Sequence, residues 1–360
     1  MVQQARRGPL AHSLTPSLTR SLSTPPPSSS LHGQRSESSF DLDTAITPTH
    51  THTHTHTPSG GGGGAFAGFV SDSWSIGDAP NGGYLMASAI SAARECVPFR
   101  DPLSITAYYL SKAEEREAMD ITVEVLGVAK SSATVQVSLS QRGSLRSRYL
   151  GTFGSLKSFR GLTHQAMQAP ELPPPRKCID ANAVLRGVMG DKLKIAQQVD
   201  FLVAKNSPFA QSVLQGHQGD TAVLECWVAF RDGRAPCLRS LAFFCDALPP
   251  PVLIVTPSNW VPTLEYTVHF WDRPVASTAA AGQEYAPDAA TSTSVQAFDN
   301  KLWLRCRMVT RHVHNSLLFT DAEIWGATGD NLLATSRQLA RVLAPRGSSQ
   351  SIGQPHSPSE

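Results

Sequence analysis

Asp246 is the sole acid in LRSLAFFCDALPPP, a run otherwise apolar enough for a buried helix that Pro249, Pro250 and Pro251 would stop. A carboxylate taken out of water must be hydrogen-bonded or face a wet site, and burial lifts its pKa toward the range useful to a general base. The competing reading is an aspartate solvated at the C-terminal end of that helix. Gln338 lies in LLATSRQLARV with Ala334, Ser336 and Ala340 at period two. Small neighbours on one strand face leave room beside the amide for a ligand or a water, although an edge glutamine facing solvent gives the same pattern. Thr263 follows Pro262 at a strand start, where its hydroxyl can hold a water or satisfy a local backbone group. The stretch PNGGYLMASAISAARE, from Pro80 to Glu95, runs a turn with two glycines straight into a helix of small residues. Either that helix lies close against something, or the N–H groups at Asn81, Gly82 and Gly83 stay open to polarise a carbonyl or bind an anion.

The elements that would position these groups alternate at period two. Strands are expected at 105–110, 120–128, 133–140 and 145–153, after the first helix and one or two short strands before it. The second half repeats the order: a strand at 221–230, a helix at 238–248, then strands at 263–271, 302–309, 316–325 and 332–342. The offset between halves is about 155 residues, far beyond a solenoid repeat, so the pattern is a duplicated domain. A helix followed by a strongly bent antiparallel sheet suggests a sheet curled over that helix, which must then be apolar nearly all round. YLMASAISAA and LAFFCDAL meet that demand. Trp74 and Trp260 stand at similar places in the two halves and are expected to pack, with an acyl groove as the alternative.

Composition narrows the function. The chain has 360 residues and a formal net charge of +2, which gives no electrostatic case for nucleic acid. No apolar run approaches the ~20 residues of a membrane span. The six cysteines show neither a CxxC pair nor metal-like Cys/His spacing, and read as reduced, mostly buried thiols. No metal or other cofactor is expected. Residues 1–37, rich in Ser, Pro and Arg, read as a disordered tail, and 345–360 as a second. The compartment expected is cytoplasmic; the alternative is a mitochondrion or another organelle, addressed by the acid-poor, Arg-bearing tail. Residues 48–64, PTHTHTHTHTPSGGGGG, read as a low-complexity insertion in a loop, with a metal-binding histidine face as the sharper alternative.

Taken together, FAGFVSDSWSIGDAPNGGYLMASAI, DPLSITAYYL, VSLSQRG and GTFGSL in the first half, and FRDGRAPCLRSLAFFCDALPPP, NWVPTLEYTVHF and LLATSRQLARVL in the second, resemble the thioesterase-like superfamily of the acyl-CoA thioesterase II type. The resemblance covers about 40–155 and 220–344, most of the chain between the tails. It implies an α+β fold, a tandem (double) hotdog in which each curved antiparallel sheet wraps a central helix. The expected N-terminal hotdog spans 38–160, a link with a helix near 181–200 spans 161–219, and the C-terminal hotdog spans 220–344. It also implies a catalytic Asp on the second helix, a Ser/Thr at the next strand and a Gln on the last strand, which fall on Asp246, Thr263 and Gln338. Asn81, Gly82 and Gly83 would then contact the substrate, an acyl-CoA or another acyl thioester. Two departures from better-known bacterial members stand out: Leu339-Ala340 follows the Gln in place of an acid and glycine, and Leu264-Glu265 follows the Thr in place of Asp-His.

No GxSxG elbow is present for Ser-His-Asp chemistry, and neither helix carries the adjacent Asp and His of a hotdog hydratase. The rival from another class is a non-catalytic acyl- or acyl-CoA-binding protein that kept the fold. Two fused hotdogs already supply the pairing that single ones obtain by dimerising, so homo-oligomerisation is left open.

Overall fold

Residues 38–49, 62–256, 260–274, 296–299 and 301–343 are described by the computed structural model. The expected tails and the histidine repeat lie outside the described residues. In chain order the elements are α1 (Ser39–Asp43), β1 (Thr47–Pro48), β2 (Gly63–Val70), β3 (Ser75–Ile76), β4 (Ala79–Pro80), α2 (Gly82–Cys96), β5 (Asp101–Tyr109), β6 (Glu117–Val128), β7 (Ala133–Gln141), β8 (Ser144–Gly154), β9 (Ile179–Asp180), α3 (Ala181–Met189), β10 (Val199–Val203), α4 (Pro208–Gln215), β11 (Val223–Phe230), α5 (Leu238–Phe244), α6 (Val252–Val255), β12 (Thr263–Phe270), β13 (Gln296–Phe298), β14 (Lys301–His314), β15 (Leu317–Trp325) and β16 (Leu332–Arg341).

Period-two patterning builds the strands as expected. In β6, Met119, Ile121, Val123 and Val125 are buried while their neighbours face out. All the main strands join one antiparallel sheet, ordered β2-β6-β7-β8-β5 in the first half and β12-β16-β15-β14-β11 in the second. The halves meet where β5 pairs with β12, Ala107 opposite Tyr266. Strands aligned between the halves by sequence therefore take mirrored places in the sheet. Helix α2 packs on β2, β5, β6, β7 and β8 and against α5, and its residues 83–90, 92 and 93 are all buried. Every residue of α5 is buried too.

Three expectations are corrected. The glycine run does not end in a loop: Gly63 and Gly64 begin β2, opposite Glu124 and Val123. A Cβ on Gly63 would lie 2.2 Å from the Val123 carbonyl oxygen, so the close pairing requires glycine there. The 161–219 segment is more than a link with a helix. Its β10 extends the sheet beyond β11, with Val199, Phe201 and Val203 in the core. Helix α5 stops at Phe244 rather than 248, where its last carbonyls take donors from outside the α-helical ladder. The Tyr266 hydroxyl donates to Ala242 O at 2.6 Å, and the Asp246 N–H turns to Phe243 O at 3.0 Å.

Trp74 is fully buried among Phe40, Tyr84 and Phe243 at centroid distances of 5.4, 5.8 and 5.1 Å, and its Nε1 donates to Asp43 at 2.8 Å. Trp260 departs from its expected packing role and is 44% exposed. All six cysteines are free thiols, four of them buried. Asp41 in α1 accepts from Arg234 Nε at 2.8 Å and Arg239 Nη2 at 2.9 Å, which ties the start of α5 to the first half. Among the described residues no helix is long and apolar enough to cross a membrane.

Candidate active site

Asp246 sits two residues past α5, half-buried, with both carboxylate oxygens occupied. Oδ1 accepts from Gln338 Nε2 at 2.8 Å. Oδ2 accepts from Asn81 Nδ2 at 2.8 Å and from the Gly83 N–H at 2.8 Å. Asn81 Nδ2 also donates to the Asp246 carbonyl at 3.0 Å, and Gln338 Nε2 to the Cys245 carbonyl at 3.3 Å. Thr263 Oγ1 donates to Gln338 Oε1 at 3.3 Å, which completes a chain of side chains Thr263–Gln338–Asp246–Asn81. Five of the six sequence-derived candidates, Asp246, Thr263, Gln338, Asn81 and Gly83, thus lie in one hydrogen-bonded group.

Each side chain arrives by a local rule. On β16, Ala334, Ser336, Gln338 and Ala340 share the buried face, so the small neighbours are where the alternation put them. Gln338 is only 7% exposed, which removes the solvent-facing alternative. Strict alternation on β12 would place Thr263 opposite in phase to Tyr266. A register shift between Thr263 and Glu265 corrects the phase: Thr263 pairs with Ala340 and Tyr266 with Gln338, both on the inner face. The bulge at Leu264 is what brings the hydroxyl to the amide.

The first turn of α2 does two jobs. Asn81 Oδ1 accepts from the Tyr84 N–H at 2.9 Å and caps the helix, while its Nδ2 clamps Asp246. Gly83 permits the approach of α5: a Cβ there would lie 2.7 Å from Ala242 O and 2.9 Å from Phe243 Cα. Its N–H, expected to stand open, is taken by the carboxylate instead. The helix N-terminus is thus spent on Asp246.

These donors favour the ionised carboxylate, but burial outweighs them. Desolvation pushes Asp246 from 3.8 up to about 6, against the opposing bonds from Gly83, Gln338 and Asn81. A carboxylate poised there is charged at neutral pH and basic enough to take a proton from water. A cavity of about 350 Å³ opens elsewhere, at the far end of α2 between Ile46, Phe66, Ser91, Arg94 and Arg239. Its one acid, Glu95, is exposed and bonded to Arg100 at 2.9 Å, so it offers no comparable base. Among the described residues no cluster of His, Cys, Asp and Glu could hold a metal ion.

Sequence reasoning missed one group at this site. Tyr109 of β5 shares the inner face with Ile105 and Ala107, and its hydroxyl oxygen is buried with no hydrogen-bond partner among the described residues. It lies against Gly82, where a Cβ would be 2.5 Å from the Tyr109 oxygen.

The family model of the acyl-CoA thioesterase N-terminal domain matches residues 70–154, and that of the acyl-CoA thioesterase C-terminal domain matches 175–342. No curated protein sequence matches the chain. Among solved structures, a thioesterase II candidate from Thermobifida fusca YX superposes with a TM-score of 0.68 at 23% identity, covering 87% of this chain and 100% of its own. A protein of unknown function with a hotdog fold from Alicyclobacillus acidocaldarius gives 0.66 at 20%, covering 86% and 100%. An acyl-CoA thioesterase II from Mycobacterium marinum gives 0.54 at 14%, covering 86% and 98%. At these identities the structural likeness establishes a hotdog-type fold.

Proposed function

The chain belongs to the acyl-CoA thioesterase family, and from that premise we propose that it hydrolyses an acyl-CoA or another acyl thioester with a water held by Asp246, Gln338 and Thr263. Asp246 accepts the water's proton as the oxygen attacks the carbonyl carbon. The Gln338 amide and the Thr263 hydroxyl orient the water. The tetrahedral intermediate then expels the thiolate, which takes the proton back from the Asp246 carboxyl. No acyl-enzyme forms. Asn81 and Gly83 act on the carboxylate, fixing its position at the substrate's edge of α2.

The observation that carries this reading is the 2.8 Å bond from Gln338 Nε2 to a carboxylate raised to about 6. The architecture belongs to the same proposal: two hotdogs, 38–160 and 220–344, each with its helix enclosed by a curved sheet, and 161–219 joining them while adding β10 to the sheet beside β11. The mirrored strand orders and the burial of α2 on nearly every side support it.

The test is hydrolysis of a panel of acyl-CoAs of graded chain length by the full chain, followed with a thiol reporter. Asp246→Asn is suited to it. An asparagine keeps one oxygen for Asn81 and Gly83 and turns its amide toward Gln338, whose own amide can flip to accept. The variant should fold and lose about a hundredfold or more in kcat/KM. Tight acyl-CoA binding without turnover by the wild-type protein would instead mark an acyl-CoA-binding protein.

A further inference from the structure

We propose that the Tyr109 hydroxyl is the hydrogen-bond donor to the thioester carbonyl oxygen, the group that stabilises the oxyanion; this rests on the hydrolytic reading above. The need arises from how α2 is used. Developing negative charge on a carbonyl oxygen requires a preorganised donor, and a helix N-terminus is the usual supply. Here Gly83 N–H, Gly82 N–H and Asn81 Nδ2 all point at Asp246, the Asn81 N–H donates to Trp74 O at 3.0 Å, and Tyr84 N–H is capped by Asn81 Oδ1. A different donor must serve the substrate.

Tyr109 meets that requirement. Its hydroxyl oxygen has no partner among the described residues, although it is shut off from solvent. An unpaired buried donor is costly to keep and calls for an explanation. The neighbouring core tyrosines differ: the Tyr266 hydroxyl donates to Ala242 O at 2.6 Å, and the Tyr149 hydroxyl accepts from Ser147 Oγ at 2.9 Å. The Tyr109 oxygen packs on Gly82, one residue before the N–H that binds Asp246, so the hydroxyl and the base flank the same helix turn. The missing Cβ at Gly82 is what admits the hydroxyl to that position. Burial, with the nearby Tyr149, Asp246 and Glu265, holds the phenol well above its ordinary pKa, so it stays protonated and donates. Asp246 beside it keeps partial contact with solvent.

The experiment compares wild type, Tyr109→Phe, Gly82→Ala and Asp246→Asn for acyl-CoA hydrolysis and thermal unfolding. Tyr109→Phe should lower kcat about a hundredfold with little change in KM, the loss reported for a single oxyanion donor. Because the hydroxyl it removes has no partner, its melting temperature should equal or exceed the wild type's. Gly82→Ala should lower kcat as well, since its Cβ displaces the hydroxyl. A second readout is independent of turnover. The carbonyl ¹³C resonance of a bound acyl-CoA ketone analogue, with CH₂ replacing the thioester sulfur, should move downfield in wild type and return toward its free position in Tyr109→Phe. Turnover lost in Asp246→Asn but kept in Tyr109→Phe, or a ¹³C shift indifferent to Tyr109, overturns the tyrosine assignment alone. Absence of turnover in wild type overturns the hydrolytic reading, and this one with it.

Discussion

The ionisation of Asp246 should be visible twice, once in rate and once in stability. The folded protein raises this carboxyl from 3.8 to about 6, so it holds the proton more tightly than the unfolded chain does. The protonated form therefore carries the stability, which is full below the unfolded value and is lost as pH rises toward the folded value. A shift of roughly two units at about 1.4 kcal/mol per unit makes that loss about 3 kcal/mol. Activity runs the other way, because the base must be charged. Below pH 6, kcat/KM should fall about tenfold per unit, and above it should be flat as far as this group is concerned. The assay is urea unfolding of wild type and Asp246→Asn at half-unit steps from pH 4 to 8, beside kcat/KM over the same range. Other titrating groups cancel in the stability difference. Asp246→Asn should gain on wild type by about 2.5 kcal/mol across this window, with the midpoint of the gain at about pH 5, between the unfolded and folded values, and its plateau reached above the pH where the rate limb bends. Parallel stability curves together with a pH-independent rate would refute the raised carboxylate and the base assigned to it.

Two further outcomes follow from the same geometry. Gln338→Glu puts a second carboxyl where an amide now donates to Asp246 at 2.8 Å, so one proton is shared and the acid limb of kcat/KM should move up by at least one pH unit; an unmoved limb would show that the two side chains do not couple. Gly83→Ala forces α2 from α5, because the new Cβ would meet Ala242 O at 2.7 Å and Phe243 Cα at 2.9 Å; about 2 kcal/mol should be lost in urea titration, and an unchanged midpoint would show that the helix contact gives way freely.

Much of this arrangement was legible because it follows from period. The strands around Ile121 and Val135 alternate visibly, and the same alternation set Gln338 among Ala334, Ser336 and Ala340. Asp246 was legible as an acid with no business in an apolar run. What escaped depends on partners distant in the chain. The Asn81–Asp246 bond spans 165 positions, so PNGG reads equally as an open anion cradle or as a contact, and the structure makes its polar groups serve a carboxylate from the other half. The bulge at Leu264 inverts the phase of Thr263, a shift without Gly or Asn to announce it. In ITAYYL two tyrosines stand side by side, and only the pairing of β5 shows that Tyr108 faces out and Tyr109 in. The strand VDFLV was too short to declare itself before β11 was there to receive it.

The seam between β5 and β12 has a consequence for inheritance. The clamp comes from the front of the gene and the acid from its back, so neither segment can drift alone without unmaking what the other supplies. A lineage that split this gene would have to keep both products in equal dose and mutual recognition. Covalent fusion removes that burden, and it also lets the twin helix positions specialise, one offering Asn81 and Gly83 and the other Asp246, a division of labour that two identical copies could never sustain.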